Sequence, residues 1–141
     1  MLELAPALME SDDLKYWVAF GRISRIGWVR VKLMEERFGS LGNAWHARLT
    51  ELWTAGLDDK TAQLVSTRKL AIDHDAELQR LVDAGIRAVT WHDDGFPERL
   101  EEIYDVLPVL YLRGEMLLDD TRSVAVVGTR KPTAYGREAG L

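Results

Sequence analysis

The stretch that most constrains the fold is Val124-Ala-Val-Val-Gly128-Thr129-Arg130-Lys131-Pro132-Thr133-Ala134-Tyr135-Gly136, close to the end of the chain. The run from Ser123 to Val127 is uniformly apolar beyond its first residue. It predicts a strand buried on both faces, as in a parallel sheet covered by helices. The chain is expected to turn at Gly128 and to re-enter helix near Thr133. A strand that passes through glycine into a helix presents free backbone N–H groups and a positive helix end at the edge of a sheet. Phosphate groups bind in such places, and ligands of open α/β sheets collect at this edge.

The residue types narrow the kind of phosphate. A dinucleotide fingerprint needs G-x-G-x-x-G, whose second glycine lets a pyrophosphate approach the backbone. Gly128 fits the first position, but Arg130 stands at the second and Thr133 at the third. A guanidinium blocks that approach and offers a fork suited to a pair of phosphodiester oxygens. The G-K-[ST] ending of a nucleotide-binding P-loop is absent. A strand-turn with no ligand, found in any α/β protein, would have the same spacing.

Upstream, the pattern is mainly helical. Ser11 is positioned to cap a helix carrying Leu14, Trp17 and Val18, which Gly21 closes. A tight connection through Ile23 and Gly27 leads to a second helix with Val29, Leu33, Met34 and Phe38. Gly39 stands where a left-handed terminating residue belongs. Ser40 and Thr50 are placed to cap two short helices, the second closed by Gly56. Asp58 opens a longer helical stretch to about Ala84, with Ala62, Val65, Leu70, Ile72, Leu78, Leu81 and Val82 as its apolar positions. The period changes at Gly85. Strands are expected over Ile86 to Trp91 and Val109 to Leu112, with a turn at His92 to Gly95 and a small helix from Pro97. Three strands at most, with no second crossover after the third, lead to the expectation of a fragment of a longer protein.

With 141 residues, 47% hydrophobic and 29% charged, the chain has a globular composition. No apolar run approaches the roughly 20 residues that span a bilayer, and residues 1–10 lack the pattern of a secretory signal. The absence of cysteine rules out disulfides and thiolate metal sites and fits a cytoplasmic setting. The net charge of −5 argues against coating nucleic acid through bulk charge. The charge is uneven, however. Arg22 to Arg37 holds five basic residues against two acidic ones, Asp73 to Asp105 three against ten, and Arg113 to Arg137 five against three. An anionic ligand would therefore meet local basic patches.

Other candidates favour structural roles. His92-Asp93-Asp94 has no further ligand at metal-binding spacing and reads as a solvated turn. His46 and His74 lie in separate helical segments without a catalytic partner. Glu101 and Glu102 are adjacent, so on a helix they diverge and make a poor acid/base pair. Trp17, Trp28, Trp45 and Trp53 suit inter-helix packing better than a base-stacking platform. Tyr135 suits either stacking on a base or packing under the turn.

Three blocks then carry a resemblance: Gly95-Phe96-Pro97 with Leu100, Pro108-Val109-Leu110-Tyr111-Leu112-Arg113-Gly114, and Val126-Val127-Gly128-Thr129-Arg130 with Tyr135-Gly136. In order and spacing the chain resembles the amino-terminal part of the DprA/Smf family of DNA-processing proteins. The helical part joins the resemblance through Ile26-Gly27 and Arg37-Phe38-Gly39-Ser40. The resemblance implies an α/β fold. A small SAM-like, helix-hairpin-helix-like helical domain over residues 1–84 would be followed by the incomplete start of an extended Rossmann domain over 85–141. It implies a single-stranded DNA-binding protein of natural transformation that protects incoming DNA and assists RecA loading. No enzymatic activity, cofactor, metal or membrane is implied. The implied partners are single-stranded DNA, the RecA recombinase and a second copy in a homodimer. The arginine of the family's G-[ST]-R turn lies in the DNA pocket, a role that carries over to Arg130. Gly128 and Thr129 would shape the turn, and Lys131 joins by adjacency and charge. In one place the chain departs from the pattern: a helical hairpin of this kind often turns through G-I-G, and here Arg25 replaces the first glycine. That favours a packing hairpin with an exposed basic face over a second DNA site. Two other functions fit parts of the chain. One is a Rossmann-type enzyme acting on a nucleotide or nucleoside phosphate. The other is a helical interaction module, which leaves the segment from Val109 onward without a purpose.

Overall fold

The structure, a computed structural model, describes residues 11–117, 122 and 124–140. In chain order the elements are α1 (Ser11–Gly21), α2 (Trp28–Phe38), α3 (Leu41–His46), α4 (Leu49–Thr54), α5 (Asp59–Arg68), a 3-10 turn (Lys69–Ala71), α6 (His74–Asp83), β1 (Ile86–Thr90), α7 (Glu98–Glu101), β2 (Val109–Arg113) and α8 (Ala134–Ala139). The mixture of helices with a small sheet agrees with the α/β expectation.

The helix boundaries follow from local chemistry. Gly39 ends α2 in the left-handed region at φ 80°, and its N–H donates to the Glu35 carbonyl at 2.8 Å. The Ser40 hydroxyl accepts from the Asn43 N–H at 3.1 Å and caps α3. The start of α4 differs from expectation. Glu51 accepts the Arg48 N–H at 2.8 Å, so the helix opens one residue before Thr50. The long helix expected from Asp58 to Ala84 is broken. Ile72 is extended, and the Asp73 carboxylate accepts from the Ala76 N–H at 3.0 Å to start α6 anew. A short carboxylate next to the backbone competes with helix continuation, and here it prevails.

Trp17, Phe20, Val31, Met34, Leu41, Leu52 and Val65 fill the centre of the helical part. The same buried cluster includes Ala88 of β1 and Val109 of β2, so apolar packing runs without interruption from helices to sheet. Alternation along β1 sends Val89 to the other face, where Phe96 and Val106 cover it. Both faces of β1 are thus covered, but the burial expected of the Ser123 to Val127 run is not found, Val124, Val126 and Val127 being exposed, and the expected parallel pairing is also absent from the sheet. β1 and β2 pair antiparallel, with Ala88 opposite Tyr111 and Val89 opposite Leu110. The connection between them holds only the four-residue α7 and no crossover helix, so β2 returns in the opposite direction.

The third expected strand is also absent among the described residues: 124–127 form no strand and pair with none, with Val127 90% exposed, and Ser123 lies outside the described residues. An apolar strand needs neighbours on its edges and cover on its faces, and among the described residues none is supplied there.

Candidate nucleic-acid interface

The predicted site residues Gly128, Thr129, Arg130 and Lys131 form one exposed segment between the irregular residues 124–127 and α8. The bend falls at Arg130 and Lys131, not at Gly128 as the sequence suggested. Gly128 is outside the left-handed region, and a Cβ added there would meet nothing within 4 Å. The close approach that glycine permits is therefore available to a ligand and is not taken up by the fold. Thr133 caps the six-residue α8, its hydroxyl accepting from the Gly136 N–H at 3.1 Å.

Several cations of the helical part are paired: Lys15 meets Asp75 at 3.0 Å, Arg22 meets Glu77 at 3.3 Å, Arg30 meets Asp58 at 3.0 Å and Arg80 meets Glu77 at 2.8 Å. Lys32, Arg37, Lys60 and Arg68 have no carboxylate within ion-pair distance among the described residues. Among the described residues, no carboxylate lies within ion-pair distance of Arg130, Lys131 or Arg137. Exposed, uncompensated guanidinium and ammonium groups suit binding to an anionic backbone.

The hairpin between α1 and α2 is arranged differently. Arg25 adopts φ 72°, the backbone region that a glycine would occupy without strain. Its carbonyl accepts from Arg30 Nη1 at 2.9 Å. The Asp58 carboxylate meets both guanidiniums, Arg30 at 3.0 Å and Arg25 at 3.6 Å. Hydrogen bonds from Thr61, then Arg30, and the charge of Arg25 lower the Asp58 pKa to about 2. The carboxylate offsets one of the two positive charges and engages both guanidiniums within the fold.

The other candidates are engaged within the fold. The Asp93 carboxylate accepts from the Thr90 N–H at 2.7 Å and the Thr90 hydroxyl at 3.0 Å. His92 Nε2 lies 2.7 Å from Glu35 Oε1 and ties the turn after β1 to α2. His46 and His74, distant in sequence, both pack on the Tyr16 ring, at centroid distances of 5.8 and 4.8 Å. Trp17 and Trp45 are buried and Trp28 is partly buried, which agrees with the packing expectation; Trp53 is the most open of the four at 42%. Among the described residues no group of three or more His, Asp or Glu could hold a metal ion. No helix among them is long and apolar enough to cross a membrane.

A feature that the sequence did not signal is a groove of about 400 Å³ lined by Val18, Arg22, Glu77, Arg80, Ile86 and Tyr111. Both of its arginines pair with Glu77, and burial raises the pKa of the Tyr111 phenol. Only the packing of α1 and α6 against the sheet brings these residues together.

Residues 87–140 match the family described as DNA recombination-mediator protein A. The chain is 28% identical over 133 residues to Protein Smf of Synechocystis, a match covering 91% of this chain and 33% of that protein. It is 40% identical over 57 residues to the DNA processing protein DprA of Bacillus subtilis, covering 40% of this chain and 19% of that protein. The chain thus spans a third or less of the curated relatives it matches. No solved structure matches it.

Proposed function

For this DprA/Smf family chain we propose a role in binding single-stranded DNA during recombination, with Arg130 as the principal phosphate contact. The observation that carries the reading is the exposed Arg130-Lys131 pair, without a carboxylate partner among the described residues, between the apolar segment 124–127 and a capped helix. Gly128 admits a backbone phosphate to close range, Thr129 shapes the approach, and Lys131 adds a second cation. In this reading, residues 124–127 become a strand of a Rossmann-type sheet when further strands flank them, and the helical part is a SAM-like module that packs and does not bind DNA. The similarity to a DNA recombination-mediator family and to a DNA processing protein supports recombination over nucleotide turnover. The protein acts without catalysing a reaction, in the cytoplasm, as a homodimer that hands the strand to the RecA recombinase.

The test is a salt titration of binding to a labelled single-stranded oligonucleotide by the full chain. Wild type is expected to lose affinity steeply as salt rises. Arg130→Ala is expected to bind more weakly at low salt and to lower the salt slope by about one. Equal affinity of Arg130→Ala and wild type at low salt would remove Arg130 from the site. Nucleotide turnover, or thermal stabilisation by a free nucleotide, would favour a Rossmann-type enzyme instead.

A further inference from the structure

Affinity for phosphates does not by itself distinguish a single strand from a duplex; that needs a group that reads unstacked bases. Half of the twelve Phe, Tyr and Trp rings are engaged with one another. Tyr16, Trp17, Phe20, Trp28, Trp45 and Trp91 all take part in ring–ring contacts. Four aromatic side chains are exposed without such a contact among the described residues: Trp53 at 42%, Tyr104 at 105%, Tyr111 at 45% and Tyr135 at 79%. Exposure does not choose between them, but charge does. Tyr111 lines the groove whose arginines, Arg22 and Arg80, both pair with Glu77 and are not free for a phosphate. No Lys or Arg lies between Leu49 and Leu57 around Trp53. From Leu100 to Leu112, around Tyr104, there is again no cation, and Glu101, Glu102 and Asp105 would repel a phosphate backbone. From Thr129 to Glu138, around Tyr135, there are three cations and one carboxylate, Glu138, on the far side of the ring from Arg130 and Lys131 in sequence. Thr133 caps the first turn of α8 directly before the ring, which follows Lys131 by four residues and Arg130 by five.

We propose that Tyr135 is a specificity-determining residue of this site, stacking on an unpaired base while Arg130 and Lys131 hold the neighbouring phosphates. The proposal rests on the DNA-binding reading above and adds the basis for preferring single strands. Every base has a π-face, so the stack tolerates any sequence, whereas a paired base is already stacked on its neighbours.

The experiment compares the full chain on two probes of equal length and charge: oligothymidylate and an abasic sugar-phosphate strand. Tyr135→Ala is expected to weaken binding to oligothymidylate about tenfold or more, to leave abasic binding within about twofold of wild type, and to be rescued on oligothymidylate by Tyr135→Phe. Arg130→Ala weakens both probes. Stacking is overturned if Tyr135→Ala affects both probes equally or neither, or if Phe fails to restore binding, while Arg130→Ala still weakens both. If wild type binds neither probe, the DNA-binding reading falls and stacking falls with it.

Discussion

Arg25 is the non-glycine residue held at positive φ among the described residues, and it stands where a glycine would have been expected in a helical hairpin. A side chain in the left-handed region carries a backbone cost of about 1–2 kcal/mol. The structure compensates by engaging both ends of the residue, the carbonyl with Arg30 and the guanidinium with Asp58. Arg25→Gly and Arg25→Ala both remove the guanidinium, so their difference isolates the backbone. Urea denaturation is expected to find the glycine variant more stable than the alanine variant by about 1 kcal/mol. An alanine variant as stable as the glycine variant would mean that the turn does not hold this conformation in solution. The missing glycine was visible in the sequence. The carboxylate that compensates for it was not, because Asp58 lies beyond three intervening helices, α2, α3 and α4.

Asp58 acts at the level of elements: it caps α5 through the Thr61 N–H and ties that helix to α2 through Arg30. Its pKa is lowered from 3.8 to about 2 in the folded protein, so the unfolded chain binds its proton more readily. Stability from this group is therefore complete above the ordinary aspartate range and is lost as pH falls through about 2. Asp75, held down by Lys15, and Glu51, held down by Arg48, act in the same direction. Thermal melts between about pH 4 and pH 2 are expected to show falling stability in wild type, and a shallower fall in Asp58→Asn. The asparagine retains a cap for Thr61 but loses the ion pairs. A fall as steep in the variant as in wild type would show that the clasp contributes nothing. Several element boundaries were legible because they are decided within a few residues, as at Gly39 and Ser40. The break at Asp73 was not, because a helical pattern of apolar residues continued on both sides of it.

At the scale of the whole molecule, Val109 on β2 belongs to the same buried cluster as Trp17, Met34 and Leu52 of the helices. Val109→Ala removes two methyl groups from that cluster and is expected to cost about 2 kcal/mol. The helical far-UV dichroism and the tryptophan fluorescence should lose stability together, since the packing they report is shared. A shift in fluorescence alone would mean that the helices fold independently of the sheet.

Local chemistry, readable along the chain, determined most of the helices, the caps at Gly39 and Ser40, the two short strands and the basic character of the Gly128-to-Lys131 segment. Each of these depends on neighbours a few residues away, and the family blocks are likewise contiguous. The tertiary structure alone decided that β1 and β2 run antiparallel, that Asp58 bridges the two hairpin arginines, and that His46 and His74 share one tyrosine. It also decided that among the described residues nothing pairs with 124–127, because a strand is made by the edges beside it and its own sequence supplies only the tendency.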